Sequence, residues 1–197
     1  MTAWKPGQKL VLETDNFSIR SLMAADATDT YISWWNDAQI QESLGFAPRN
    51  WDRPRAVQHI ERFDNARRFH LGIFPKGRSE PIGFMSLFVE PADKVMTNIV
   101  IGDKDYWGKK VVIEVRVRVF DWIMETLNAN KIYGRVNARN FASIYNYKTQ
   151  GFKMEGVLRD HGIGHDGTRH DLIFFGLLRS EWLARRDAAA PKASSDG

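Results

Sequence analysis

The sequence predicts an α+β domain with a mixed, mostly antiparallel central sheet flanked by helices. Three observations predict it. Short apolar runs with strand character recur at Phe69 to Phe74, Ile82 to Val89 and Met96 to Ile101, and again after residue 131. The separators of the first set, Pro75-Lys76-Gly77 and Pro91-Ala92-Asp93, are short and turn-rich, which makes consecutive antiparallel pairing the economical topology. Between the strand candidates at 96–101 and 131–136, Val111, Val115, Val119, Trp122, Ile123 and Leu127 recur at helical spacing, so one helix supplies a parallel crossover.

In chain order, Leu10 to Glu13 and Phe17 to Arg20 read as strand pieces around the turn residues Asp15-Asn16. Ala24 to Asn36 reads as a helix ending at Trp34-Trp35-Asn36-Asp37. A second helix is expected from an Asp52 N-cap, with Pro54 in its first turn, to about Arg68. The three strands and the crossover helix from Lys110 to Leu127 follow. Lys131 to Val136 is a strand, and Asn140 to Gln150 a short helix closed by Gly151. Phe152 to Arg159 and Asp171 to Leu178 complete the strands, joined by a glycine-rich turn from His161 to Gly167. The domain is expected to span residues 1–183, and the Ala-, Ser- and charge-rich segment 184–197, which lacks periodicity, to be a disordered tail.

Composition narrows the chemistry. At 197 residues, 43% hydrophobic and 12% aromatic, the chain can bury one sizeable core. It has no cysteine, so disulfides, thiolate metal sites and a cysteinyl acyl-enzyme are excluded. No run approaches the roughly 18 apolar residues that cross a bilayer, and a soluble, cytoplasmic protein is expected, with no membrane partner. The net charge is +4, but the 28 basic and 24 acidic residues are interspersed, which favours a solvated surface over nucleic-acid binding. Tryptophans expected at the surface and a strand-rich C-terminal half would suit a homodimer, although nothing requires one.

A strand that ends in a glycine loop and feeds a helix presents unpaired N–H groups at the positive end of the helix dipole, where phosphate oxygens bind. Ile101 to Val112 is such a place, though from the loop alone an ordinary turn is the better reading. Its surroundings add to it: Tyr106-Trp107-Gly108-Lys109-Lys110 leading to Glu114, then Asn140-Phe141-Ala142-Ser143, then Gly151-Phe152 with Glu155-Gly156-Val157-Leu158-Arg159-Asp160, and finally His170-Asp171 and Leu177-Leu178 before Trp182. In order and spacing these segments, which cover residues 96–182, resemble the GNAT acyltransferase superfamily, in the branch that includes the ribosomal-protein N-terminal acetyltransferases.

The resemblance implies an N-acetyltransferase that moves an acetyl group from acetyl-coenzyme A, with no metal, to a primary amine by direct attack. It implies that the pyrophosphate of the donor rests on the loop Trp107, Gly108, Lys109, Lys110, Val111 and Val112. The pantetheine would run beside Ile99, Val100 and Ile101, be reached by Asn140 and Ser143, and enter a splay between the strands at 97–101 and 131–136. Backbone N–H groups around Ile99 would serve the oxyanion. Tyr147, four residues before Gly151-Phe152, would be the acid for the departing thiolate; read without the resemblance it is a packed helix tyrosine. For the base, Glu90 is the choice, with His161 and Glu42 as alternatives. His161, His165 and His170 lack regular ligand spacing and read as a solvated loop rather than a metal site.

The loop departs from the family in two places. Asp105 stands where Gln or Arg is usual, and Lys110 where a second small residue is usual, so a catalytically inactive acyl-CoA-binding module is the alternative reading. On the acceptor side, Trp34, Trp35 and Asn36 resemble the acceptor-side helix of GNAT enzymes that acetylate amino sugars. They would bind a small amine such as an amino sugar, the other acceptor class being a protein N-terminus; alternatively the indoles are core and Asn36 caps the helix.

Overall fold

The computed structural model describes residues 4–44, 50–164 and 167–189. Eight strands form one sheet in the order β1-β2-β3-β4-β5-β6-β8-β7. They are β1 (Val11–Glu13), β2 (Phe17–Ser21), β3 (Arg68–Pro75), β4 (Gly83–Glu90), β5 (Lys94–Ile101), β6 (Lys131–Asn137), β7 (Lys153–Ile163) and β8 (Arg169–Leu178). Every neighbouring pair is antiparallel except β5 and β6, which are parallel and joined through the helix α4 (Val111–Glu125). The expected mixed, mostly antiparallel sheet with one crossover is present.

Alternation along the strands sends side chains to two cores. Ile19, Leu71, Met85, Leu87 and Ile132 meet Val115, Val119 and Ile123 of α4. On the opposite face, Phe74, Phe84 and Val100 meet Tyr31, Trp34 and Trp35 of α1 (Asp29–Asn36) and Ala56 and Ile60 of α3 (Arg53–Glu61).

Several boundaries differ from the sequence reading, each for a local reason. The helix expected over Ala24 to Asn36 is a single 3-10 turn, Ala24–Asp26, followed by α1. Asp26 is drawn into a two-bonded pair with Arg20, at 2.7 and 2.8 Å, and Thr28 restarts the helix by accepting the Tyr31 N–H. A further helix, α2 (Ala38–Leu44), is capped by Asp37, which accepts from Gln39 and Ile40. Asp52 caps α3 as expected, but that helix stops at Glu61 rather than near Arg68. There the Asp64 carboxylate gathers the N–H groups of Ala66, Arg67 and Arg68 and turns the chain into β3. β7 continues to Ile163, so His161 lies in a strand rather than a turn.

The helices α5 (Phe141–Thr149) and α6 (Arg179–Ala189) complete the fold. The boundary expected at 183 falls inside α6, which runs through Ala189; residues 190–197 lie outside the described residues. α6 is held by polar links that leave no apolar period: Trp182 donates to Asp121, Arg186 pairs with Glu125, Lys153 pairs with Glu181, and Arg185 donates to the Thr149 carbonyl. The tryptophans are not on the surface as expected either: Trp34, Trp35, Trp122 and Trp182 are buried and Trp107 alone is exposed, which removes that ground for a homodimer.

Candidate active site

β5 and β6 pair over only three positions, Lys94 to Met96 against Lys131 to Tyr133, yet β5 runs on to Ile101 and β6 to Asn137. Beyond Met96 and Tyr133 their facing edges part, which is the expected splay, and the edge of β5 that includes Ile99, Val100 and Ile101 is left without a ladder partner there. α5 sends Tyr147 to this opening. Its ring is buried, stacked on Phe175 at 5.0 Å and 2°, and edge-on to Phe152 at 5.0 Å. Its hydroxyl occupies the space a side chain at Gly134 would need: a Cβ there would fall 2.0 Å from that oxygen and 3.0 Å from the Thr97 carbonyl oxygen. The tyrosine oxygen therefore sits in the seam between β5 and β6.

Two buried polar atoms near this seam lack partners. The Thr97 hydroxyl is fully buried on β5, and Arg116 Nε is buried on α4. An unsatisfied buried hydroxyl costs about 1–3 kcal/mol, and a polar ligand entering the splay would recover it. The Arg116 guanidinium lies over the Tyr147 ring, 4.3 Å from its centroid. One turn before Tyr147 on the same face of α5 is Ser143, whose N–H is accepted by the Asn140 side chain at 3.0 Å, so Asn140 acts as the helix cap.

At the far end of β5, Gly102 lies flat against Trp34; a Cβ there would fall 2.1 Å from the indole. A 3-10 turn, Lys104–Tyr106, is capped by Asp103, and Asp105 stands exposed in it. Trp107 donates its indole N–H to the Ile101 carbonyl at 2.8 Å. Gly108 has φ +75°, and a Cβ there would meet nothing within 4 Å; Lys110 takes the left-handed conformation, φ 60°, at the N-cap of α4. Among the described residues, the N–H groups of Gly108, Lys110, Val111 and Val112 have no protein acceptor. Arg78, Lys104, Lys109 and Lys110 place cations around them. This combination suits an anion such as a pyrophosphate. Glu114, one turn into the helix, is committed elsewhere, accepting the Asn16 N–H and side-chain amide at 3.0 Å each.

Glu90 ends β4 on the face shared by Phe84 and Phe88, the α1 and α3 side, and accepts the Tyr133 hydroxyl at 2.8 Å with Lys94 at 3.9 Å. Burial and the neighbouring Glu90 carboxylate push the Tyr133 phenol up to about 12. Gly134 and Tyr133 are adjacent on β6 and point to opposite faces, so Tyr147 and Glu90 stand on opposite sides of the sheet. Glu42 is exposed on α2 and His161 exposed on β7. His165 lies outside the described residues. His170 is buried against Gly162 with neither ring nitrogen partnered.

Trp34 and Trp35 do not form an open lip. They are 5% and 6% exposed, and Trp35 is sandwiched between Trp51 at 4.3 Å and Phe84 at 5.2 Å. Asn36 is occupied by a reciprocal pair of hydrogen bonds to the Trp51 backbone, at 2.7 and 3.0 Å, and Asp37 rather than Asn36 ends the helix. Asp37 in turn pairs with Lys104 at 2.8 Å, which ties α1 and α2 to the loop before α4. The sequence reading missed Thr97, Gly134 and Arg116. Gly134 carries a signal, since an isolated glycine within a strand marks a close approach. Arg116 carries another, a charge four residues before Phe120 on the apolar face of α4.

Solved structures share this fold. The spermidine N-acetyltransferase of Vibrio cholerae, in complex with CoA and spermine, superposes with a TM-score of 0.78 over 86% of this chain and 99% of its own, at 19% identity. The ribosomal-protein-S5-alanine acetyltransferase of Vibrio fischeri gives 0.72 over 88% and 98%, at 20% identity. In sequence, the uncharacterized N-acetyltransferase p20 of Bacillus licheniformis is 25% identical over 178 residues, covering 87% of this chain and 97% of its own length. The acetyltransferase (GNAT) domain family matches residues 16–153, well over half the chain, from the first hairpin to the start of β7, so the protein belongs to the GNAT acetyltransferase family.

Proposed function

We propose that the protein transfers an acetyl group from acetyl-coenzyme A to a primary amine by direct attack, with Tyr147 as the acid. The observation that carries this reading is the Tyr147 hydroxyl, admitted to the β5/β6 seam by the missing side chain of Gly134. The free amides of Gly108, Lys110, Val111 and Val112 would hold the pyrophosphate, and Ile99 to Ile101, Ser143 and the unpartnered Thr97 hydroxyl would line the pantetheine path. When bound, the donor supplies an activated acetyl group on sulfur. Glu90, on the opposite face, takes the ammonium proton through water and leaves a neutral amine. The amine nitrogen bonds to the acetyl carbon and releases its extra proton to solvent, the carbon–sulfur bond breaks with its electrons on sulfur, and Tyr147 protonates that sulfur. A phenol hydroxyl can donate its proton as negative charge builds on the sulfur.

The acceptor is a small amine or a protein N-terminus; relatives of the same fold include a spermidine and a ribosomal-protein acetyltransferase. A cytoplasmic setting fits this donor, and no helix among the described residues is long and apolar enough to cross a membrane. Thiol release from acetyl-coenzyme A with a panel of polyamines, amino sugars and short peptides tests the reading. Turnover with at least one amine is expected, and none with any class would contradict it. Glu90→Gln should lower kcat/KM for that amine about tenfold or more.

Lys110 supports a second reading, a non-catalytic acyl-CoA-binding module, because it holds a left-handed conformation that glycine takes more easily. Calorimetry separates the two: tight coenzyme A binding with no turnover on any amine would select the module.

A further inference from the structure

Arg116 is a buried charge without a counter-ion. It is 2% exposed, its Nη1 donates to the neutral Gln150 side chain at 3.2 Å, and its Nε has no partner. No carboxylate pairs with it among the described residues. Val115, Val119 and Phe120 surround its place in the helix, and a leucine or methionine would fill it without the cost of desolvating a guanidinium. What the charge does have is the Tyr147 ring, against which it lies at 4.3 Å. Phe175, Phe152 and the Gly134 backbone occupy the other approaches to that ring, so Arg116 is the charge placed to act on it.

We propose that Arg116 is a positioning residue for the acid step, its cation stabilising the phenolate that forms when Tyr147 gives up its proton. This rests on Tyr147 being the acid. In the step, the Tyr147 O–H bond breaks, its proton joins the sulfur that leaves with the carbon–sulfur electron pair, and the negative charge moves from sulfur to the phenol oxygen. Solvent then reprotonates the phenolate. An arginine suits this role because it keeps its charge at any working pH and lies flat on an aromatic face. Burial pushes this guanidinium below its ordinary value, and the nearby Tyr147 hydroxyl opposes that shift.

The test uses Arg116→Met, Tyr147→Phe and the double variant, with two readouts. In ligand-free protein, the tyrosinate absorbance that Tyr147→Phe removes should appear at higher pH in Arg116→Met than in wild type. In turnover, Arg116→Met should lower kcat about ten- to a hundredfold and move the alkaline limb of its pH profile upward, while costing less than about twofold in the Tyr147→Phe background. Unchanged absorbance and pH profile would overturn the proposal, even if the melting temperature moved. If Tyr147→Phe keeps full kcat, the acid reading itself fails, whereas a full loss there with a wild-type Arg116→Met refutes only the arginine. Should Arg116→Met not fold, Arg116→Gln takes its place with the same expected shifts, and failure of both to fold would assign Arg116 to stability and overturn the proposal.

Discussion

Gly134 matters through what it lacks. A methyl group there would collide with the Tyr147 oxygen and press on the Thr97 carbonyl, both fixed by packing. Gly134→Ala should therefore displace the tyrosine, lowering kcat by an amount close to that of Tyr147→Phe and costing about 1–3 kcal/mol of stability by urea titration. Lys110 makes the reverse case. Its φ of 60° strains any residue with a Cβ, so Lys110→Gly should raise stability by about 0.5–1 kcal/mol, seen as a higher urea midpoint. At this scale the sequence was unevenly legible. Tyr147 could be named because its distance from Gly151-Phe152 is a family spacing. Thr97 could not, because an orphaned hydroxyl is a fact about neighbours that arrive from other strands and helices; Arg116 shows in the sequence as a charge on the apolar face of α4, but its lack of a counter-ion depends on those same neighbours.

Among the elements, α4 and the first hairpin are joined by Glu114, whose carboxylate takes two bonds from Asn16 across 98 positions of sequence. Burial raises the Glu114 pKa, but hydrogen bonds from Thr14 and Asn16 outweigh it and leave the group below its ordinary value. Glu114→Ala should cost about 1 kcal/mol in urea unfolding, and by loosening the first turn of α4 should weaken coenzyme A binding more than it lowers kcat. The strands were readable from short apolar runs set between turn-rich separators, and α4 from a helical period of apolar residues against one face. α2 and the far half of α6 were not. α2 depends on Asp37, a residue that reads as a helix end but both ends one helix and begins the next, and α6 depends on links to α4, β7 and α5 that leave no period. The acceptor lip expected from Trp34 to Asn36 failed for a related reason: the aromatic run fits a lip or a core equally, and Phe84 and Trp51 made it core.

Across the whole molecule, the aromatic core under α1 and α3 carries an acid-sensitive element. Burial pushes the His59 imidazole down to about 4, helped by the Arg62 charge, and it packs against Trp35, Trp51, Phe63 and His70. An unfolded histidine titrates near 6.5, so between about pH 6.5 and 4 the unfolded chain binds the proton first and stability falls with falling pH. The His59 share, on the order of 2–3 kcal/mol, should appear as a melting temperature that drops through that window, with a shallower drop in His59→Gln. The central claim concerns the splay, where the sheet opens between β5 and β6 and Tyr147 closes on it. Its most direct test is Tyr147→Phe, measured both for kcat with a competent amine and for coenzyme A affinity by calorimetry. The account predicts a kcat loss of about a hundredfold with the dissociation constant for coenzyme A within about threefold of wild type. An unchanged kcat, or a loss that follows weakened coenzyme A binding alone, would contradict it.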